Sequence, residues 1–301
     1  MAGLDMVRLK LPALALGVML LLAGCATPAA TPHTGLITVV ASTNVYGSIA
    51  DVIGGTRVRV TSLITDTTTD PHDFQGSART QLSLSRADVV IENGGGYDPF
   101  VDTLLAGANN PDVKLLNVTT ISGKKVTADF NEHLWYDMNT MELLVAHLVA
   151  TYAAIDPDHA SYFESNAQPY IGHLASLSGW LAGIGQHFGH VGVVMTEPLP
   201  GYLIEAAGLT VISPPEFSRA IEAGTDVSPD VLKRTLQLVT SKTAGLVIYN
   251  TQTAGPQTDQ VLAAAQDAGV PVLPVAETLP PGVEYLHWMD STVSALRVAL
   301  T

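Results

Sequence analysis

The sequence predicts an α/β protein of two lobes, each a mostly parallel sheet covered by helices, joined by a single long connector helix. Three observations carry that expectation. Short, unbroken apolar runs alternate with helix-length stretches, which is how a parallel sheet buried on both faces reads. After residue 152 the alternation gives way to a long helical stretch, and beyond it the pattern begins again. A chain of 301 residues, 47% hydrophobic and 14% charged, also fills two cores more comfortably than one.

In chain order, Leu36–Ala41 is the first buried strand and Val45–Ile53 a helix stopped by Gly54-Gly55. Val58–Ile64 is the second strand, followed by a polar, turn-rich loop over Thr65–Gly76 and a helix over Ala78–Ser85. The strand Asp88–Ile91 ends at Gly94-Gly95-Gly96, and Lys114–Asn117 is a further short strand. The glycine run lacks the spacing of a dinucleotide fingerprint and the lysine of a phosphate loop, so it reads as a tight strand-to-helix turn. Met138–Tyr152 and Asp158–Ile184 are long helices separated at Pro157, with Pro169 a candidate kink. Strands then recur at Val191–Met195, Thr210–Ser213, Gly245–Tyr249 and Val270–Val275. Helices recur at Gly201–Ala207, Pro229–Val239, Gln257–Ala268 and Tyr285–Leu300. The expected organisation is therefore 36–155 for the first lobe, 156–184 for the connector and 185–301 for the second lobe.

Residues 1–24 are expected to be a lipoprotein signal peptide and stand outside the fold. Arg8 and Lys10 give a basic start, Leu11–Leu22 is apolar, and Leu22-Ala23-Gly24-Cys25 resembles the bacterial lipobox, whose cysteine becomes the lipidated mature N-terminus. Residues 25–35, rich in Pro, Thr and Ala, read as a flexible tether. Cys25 is the single cysteine, which excludes a disulfide within the chain and a thiolate-rich metal site. A net charge of -14 argues against nucleic acid as a partner and against electrostatic docking on anionic lipid. No apolar run after the leader reaches the roughly 20 residues that span a bilayer.

Four residues are candidates for one metal centre. His72 lies in the loop after the second strand, His133 in the irregular stretch before the Met138 helix, and Glu197 and Glu277 each two residues beyond a strand of the second lobe. In open α/β sheets ligands bind beyond the carboxyl ends of the strands, so all four can reach one edge of their sheets. Two imidazoles and two carboxylates make an N2O2 set for a divalent transition metal. Each also has a plainer reading: a loop histidine is usually solvated, and Glu197 before Pro198 suits an acidic helix start. Glu284 and Asp290 are rival carboxylates that read as capping or surface groups. His147, His159, His173, His187, His190 and His287 read as helical, boundary or packing residues, and Asn117-Val118-Thr119 as an incidental glycosylation sequon.

Several motifs together resemble a known family. Asp70-Pro71-His72-Asp73-Phe74, Asn131-Glu132-His133-Leu134-Trp135, and Thr196-Glu197 followed by Gly201-Tyr202-Leu203 are similar to the metal-site motifs of the substrate-binding lipoproteins of bacterial manganese, zinc and iron ABC importers, the cluster A-I solute-binding family. The resemblance runs from about Leu36 to the C-terminus, with further matches at Arg86-Ala87-Asp88, Asn93-Gly94 and the stretch 217–229. It implies two α/β lobes clasping one metal ion through His72, His133, Glu197 and Glu277. Glu132 stands where the family usually has Pro, Met138 where Pro commonly follows Asp137, and Glu277 where Asp is commoner.

The implied role is an extracytoplasmic, lipid-anchored carrier that hands its ion to an ABC permease, acts as a monomer and performs no chemical step. A divalent ion among two neutral imidazoles and two carboxylates is locally neutral, which makes burial tolerable. Mixed N/O ligands suit Mn(II), Fe(II) and Zn(II), and intrinsic affinity favours Zn(II) over Mn(II). Glu at the third position of the resembled family goes with manganese or iron, so Mn(II) is the favoured cargo, with Zn(II) close behind and Fe(II) third. The alternatives are a zinc-dependent hydrolase, for which the chain offers no H-E-x-x-H, G-x-S-x-G or carboxylate dyad, and a surface adhesin or organic-ligand carrier on the same fold.

Overall fold

Each lobe is built on a four-stranded parallel sheet whose central strands are apolar on both faces. The computed structural model describes residues 35–301 apart from 68 and 70; the expected signal peptide, the lipidation site Cys25 and the tether lie outside the described residues. The first sheet is made by β1 (Ile37–Thr43), β2 (Val58–Ile64), β3 (Val89–Glu92) and β4 (Lys114–Asn117), in the order β2-β1-β3-β4. Between and after them run α1 (Asn44–Gly54), α2 (Ala78–Leu84), α3 (Pro99–Ala108), α4 (Val118–Ser122) and α5 (Met138–Ile155). Every residue of β3 is buried, and so are six of the seven in β1.

A 29-residue helix, α6 (Ala160–Phe188), leads to the second sheet. That sheet contains β5 (Gly192–Met195), β6 (Thr210–Val211), β7 (Ala244–Asn250) and β8 (Val272–Val275), in the order β6-β5-β7-β8. Its helices are α7 (Gly201–Ala206), α8 (Pro215–Glu222), α9 (Pro229–Thr240), α10 (Pro256–Ala268) and α11 (Tyr285–Ala299). The two sheets thus repeat one topology. In each, the first and third strands lie side by side and the chain leaves them in opposite directions, which opens a crevice at their carboxyl ends.

At about 1.5 Å per residue α6 spans roughly 44 Å. Phe163, Ala167, Tyr170, Leu174, Leu177, Leu181 and Ile184 recur at helical spacing and line one buried face. They join side chains from both sheets in a single apolar cluster. Pro169 sits on the exposed side, and the helix runs through it. By length and composition α5 could cross a membrane, but Met141, Leu144, Val145 and Leu148 are buried in this same cluster.

The structure differs from the sequence expectation in three helices and several ends. The stretches that form α3, α4 and α8 carry no clear helical period because each is short or opens on proline. β6 is two residues rather than four: Ile212 still donates to the Val193 carbonyl, and Pro214 and Pro215, just past the strand, have no N–H with which to carry the ladder further. β8 begins at Val272, just after Pro271, which likewise has no N–H to give. Leu177→Ala is expected to lose about 2–5 kcal/mol of stability, read as a lower denaturant midpoint. Leu143→Ala, on the exposed face of α5, should stay within about 0.5 kcal/mol of wild type.

Candidate metal centre

Gly94, Gly95 and Gly96 turn the chain sharply after β3, with φ of +70°, +68° and +108°. A Cβ at Gly94 would strike the Asn117 amide, and one at Gly95 the Phe130 ring. Asp98 fastens the turn, accepting hydrogen bonds from the backbone N–H of Asn93 at 2.7 Å and of Gly94 at 2.8 Å. This sets the buried Tyr97 ring against His72, His133 and Trp135, with ring centroids 5.1, 6.1 and 4.9 Å away. The turn expected from the glycines is therefore real, and it builds a wall of the site.

Of the four expected ligands, the structure brings three into one group. His72 rides on a 3-10 turn, Pro71–Asp73, in the loop after β2, and His133 precedes a second such turn, Leu134–Tyr136. Glu277 lies two residues past β8. Among the described residues, His72, His133 and Glu277 offer ligand atoms that all lie within 4.8 Å of one another. Glu197 stands just outside that group and is tied to it through Asn250: the Asn250 amide nitrogen donates to Glu197 Oε2 and, at 3.0 Å, to Glu277 Oε1. Tyr97 also donates its hydroxyl to Glu277 Oε2 at 3.3 Å. His133, Glu197 and Glu277 are buried, while His72 keeps about a quarter of its side chain exposed.

Sequence reasoning missed Asn250, Asn131, Glu222 and the nearness of Glu132. Asn250 ends the third strand of its sheet, beside the crevice, so its position was the available signal. The Asn131 Oδ1 accepts from His133 Nδ1 at 2.7 Å, and the Asn131 Nδ2 donates to the Pro198 carbonyl at 2.8 Å. A carbonyl only accepts, so the Pro198 contact settles which way the amide faces. His133 then carries its proton on Nδ1 and presents Nε2 to the cleft. Glu132 Oε1 lies 3.6 Å from His72 Nδ1, and Glu222 Oε1 lies 3.8 Å from His133 Nδ1.

These neighbours leave the pocket short of stable charge. Burial, helped by the positive potential of His72, pulls His133 down to about 3, so the ring stays neutral. Burial, with Asp98 adding repulsion, lifts Glu132 to about 7. Burial followed by repulsion from Glu132 and Glu197 lifts Glu222 to about 8, against the opposing Arg219. Asp98 is pushed up by burial and held back by the backbone hydrogen bonds from Asn93 and Gly94. A neutral His133 ring amid carboxylates that resist ionising together is a donor set that a dication would relieve.

The rival residues are engaged elsewhere. Asp290 pairs with His173 at 2.7 Å, Glu284 occupies the N-cap position of α11, and His159 meets Asp156 at 2.9 Å. His187 bonds the Gly183 carbonyl, and His147, His190 and His287 are exposed. Asn117 caps α4 and donates to Glu92.

The family described as zinc-uptake complex component A, periplasmic (ZnuA), matches residues 39–299. The chain belongs to that family. Its members are periplasmic metal-binding, solute-binding proteins of ABC import systems, not enzymes. A protein of Treponema pallidum named for metal binding is 22% identical, over 97% of this chain and 96% of its own length. The manganese-binding lipoprotein MntA of Halalkalibacterium halodurans is 26% identical over 54% of this chain and 55% of its own. Among solved structures, the periplasmic zinc-binding protein TroA of Treponema pallidum superposes with a TM-score of 0.75 at 16% identity, covering 89% of this chain and 100% of that one. FpvC of Pseudomonas aeruginosa in complex with Mn2+ gives 0.72 at 19%, covering 88% and 98%. These superpositions establish the two-lobed fold expected from the sequence.

Glu222 holds its proton more tightly folded than unfolded, so its ionisation costs stability as pH rises from 4.5 towards about 8. In the metal-free protein, Glu222→Gln is expected to melt above wild type at pH 8. The difference should shrink as pH falls and vanish below 4.5. Thermal melts across that range check it.

Proposed function

We propose that the protein captures one divalent transition metal ion between its lobes, on the outer side of the cell membrane, and delivers it to an ABC permease. The observation that carries this reading is the meeting of His72, His133 and Glu277, which come from three distant segments and the edges of both sheets. Glu197 is assigned as the fourth ligand, a short reorientation away once a cation replaces the shared Asn250 hydrogen bonds. Two ligands then come from the first lobe and two from the second. Parting the lobes would halve the chelate, which is how a slow-releasing site lets go at the permease.

Mn(II) is the favoured cargo, with Zn(II) the nearest competitor and Fe(II) third. A carboxylate at the third ligand position supports manganese, as do two relatives named manganese-binding lipoproteins. Relatives named zinc-binding lipoproteins, and stronger intrinsic binding, support zinc. The anchor is the lipidated Cys25, followed by the tether 25–35; the lobes are 36–155 and 185–301, with 156–184 as connector. The carrier acts as a monomer.

Elemental analysis of protein purified from its native envelope should find close to one equivalent of Mn or Zn, lost in His72→Ala and His133→Ala. Added Mn(II) or Zn(II) should raise the melting temperature of the stripped protein, since at about 100 times Kd a ligand contributes about 2.7 kcal/mol. A stripped protein whose melt is unmoved by Mn(II), Zn(II) and Fe(II) would sink the reading. Cys25→Ser should move the protein from the membrane fraction to the soluble one.

A further inference from the structure

We propose that Asn131 is a positioning residue that couples the His133 ligand to lobe closure, so that the first lobe's grip on the metal weakens whenever the second lobe withdraws. The inference deepens the proposed function and rests on it. Asn131 faces two ways. Towards its own lobe, its Oδ1 accepts from the His133 backbone N–H at 3.1 Å and from His133 Nδ1 at 2.7 Å. Towards the other lobe, its Nδ2 donates to the Pro198 carbonyl at 2.8 Å, and its own backbone carbonyl accepts from the Tyr202 hydroxyl at 2.7 Å. Pro198 directly follows Glu197, so the contact reports the position of the loop that carries a second-lobe carboxylate.

The approach is close because residue 201 has no side chain. A Cβ on Gly201 would sit 2.7 Å from Asn131 Nδ2, nearer than two such atoms can rest. Glu222 is the other group facing His133 Nδ1, and at 3.8 Å it lies beyond hydrogen-bond reach. Asn131 is thus the hydrogen-bond partner of that nitrogen among the described residues, and its amide is held from two sides, by the His133 backbone N–H in its own lobe and by the Pro198 carbonyl in the other. When the lobes separate, the Pro198 and Tyr202 contacts go. The amide then keeps only its bonds within the first lobe, can swing with its loop, and holds less firmly the Nδ1–H tautomer that points Nε2 at the ion. Loss of Glu197 and Glu277 and loosening of His133 become one event.

The test changes the second lobe and reads the first. Gly201→Ala displaces the Asn131 amide, and Tyr202→Phe removes one oxygen while keeping the ring packed; neither residue touches His133. Mn(II)-loaded protein is mixed with excess EDTA in a stopped-flow instrument, and long-range proton–nitrogen spectra of histidine-labelled, metal-free protein read the His133 tautomer. Wild type should show a single Nδ1–H form, and Gly201→Ala a mixture. Each second-lobe variant should release Mn(II) about fivefold faster, the worth of one hydrogen bond, and Asn131→Leu about thirtyfold faster. The change should fall on release rather than on capture, which a general loss of stability would not produce. Wild-type release rates together with an unaltered tautomer, in variants that melt like wild type, would overturn the role of Asn131. His133→Ala separates the two levels: if it holds Mn(II) as wild type does, the metal site itself is wrong and the coupling falls with it. If His133→Ala fails to bind while Gly201→Ala and Tyr202→Phe behave as wild type, only the coupling falls.

Discussion

Four carboxylates, Glu132, Glu197, Glu222 and Glu277, crowd around two imidazoles in a seam where His133, Glu197 and Glu277 are buried and the others partly so. Two of the four are held well above their ordinary range, mainly by desolvation, then by Asp98 for Glu132 and by Glu132 and Glu197 for Glu222. His133 is held well below its range by the same burial. Much of the surrounding design can be understood as a response to that crowding. Asn250 spends one amide nitrogen on two carboxylates, and the Tyr97 hydroxyl is turned towards a third oxygen. The crowding costs the metal-free protein stability, and it is a charge arrangement that a dication would offset.

The seam is held from both sides. On the Glu277 side, Asn44 exchanges two hydrogen bonds with the backbone of Leu279, each 2.9 Å long. Thr278 reaches the Asp66 carbonyl, and Tyr136 donates to the Ala276 carbonyl at 2.9 Å. On the His133 side lie the Asn131 contacts and an ion pair between Arg219 and Asp129 at 2.6 Å. That ion pair is largely exposed and contributes little by itself. The apolar cluster along α6 runs behind both rows and joins the two sheets to one spine. The contacts across the seam are thus a few hydrogen bonds, whereas the sheets share one continuous apolar cluster, and the proposed parting of the lobes would break the former first.

The strands and the long helices were legible because burial on both faces writes a strand as an apolar run, and β2, β4 and α6 stand close to where that pattern puts them. α3 and α8 were not legible. Each opens on a proline after a turn, and their helical period is too short to rise above the loop around it. His72, His133 and Glu197 were legible as candidates from the motifs they sit in, and Glu277 from its place two residues beyond a strand. Glu222 was not, because a carboxylate near the end of a short amphipathic helix looks like any solvated one. Asn131 and Asn250 were hidden for a different reason: a neutral amide has no pattern of its own, and its importance lies in what its two ends touch.

The amino-acid sequence alone determined the layered α/β class, the repetition of that class on either side of a long helix, and the loops on which the candidate ligands lie. Those properties follow from local periodicity and from the chemistry of single residues. Only the tertiary structure decided which candidates meet, that Glu197 stands one amide away from Glu277, and that Asn131 faces both lobes. Such relations join residues far apart in the chain through distances of a few ångströms. Hydrogen bonding and desolvation depend on those distances, and no local pattern along the chain encodes them.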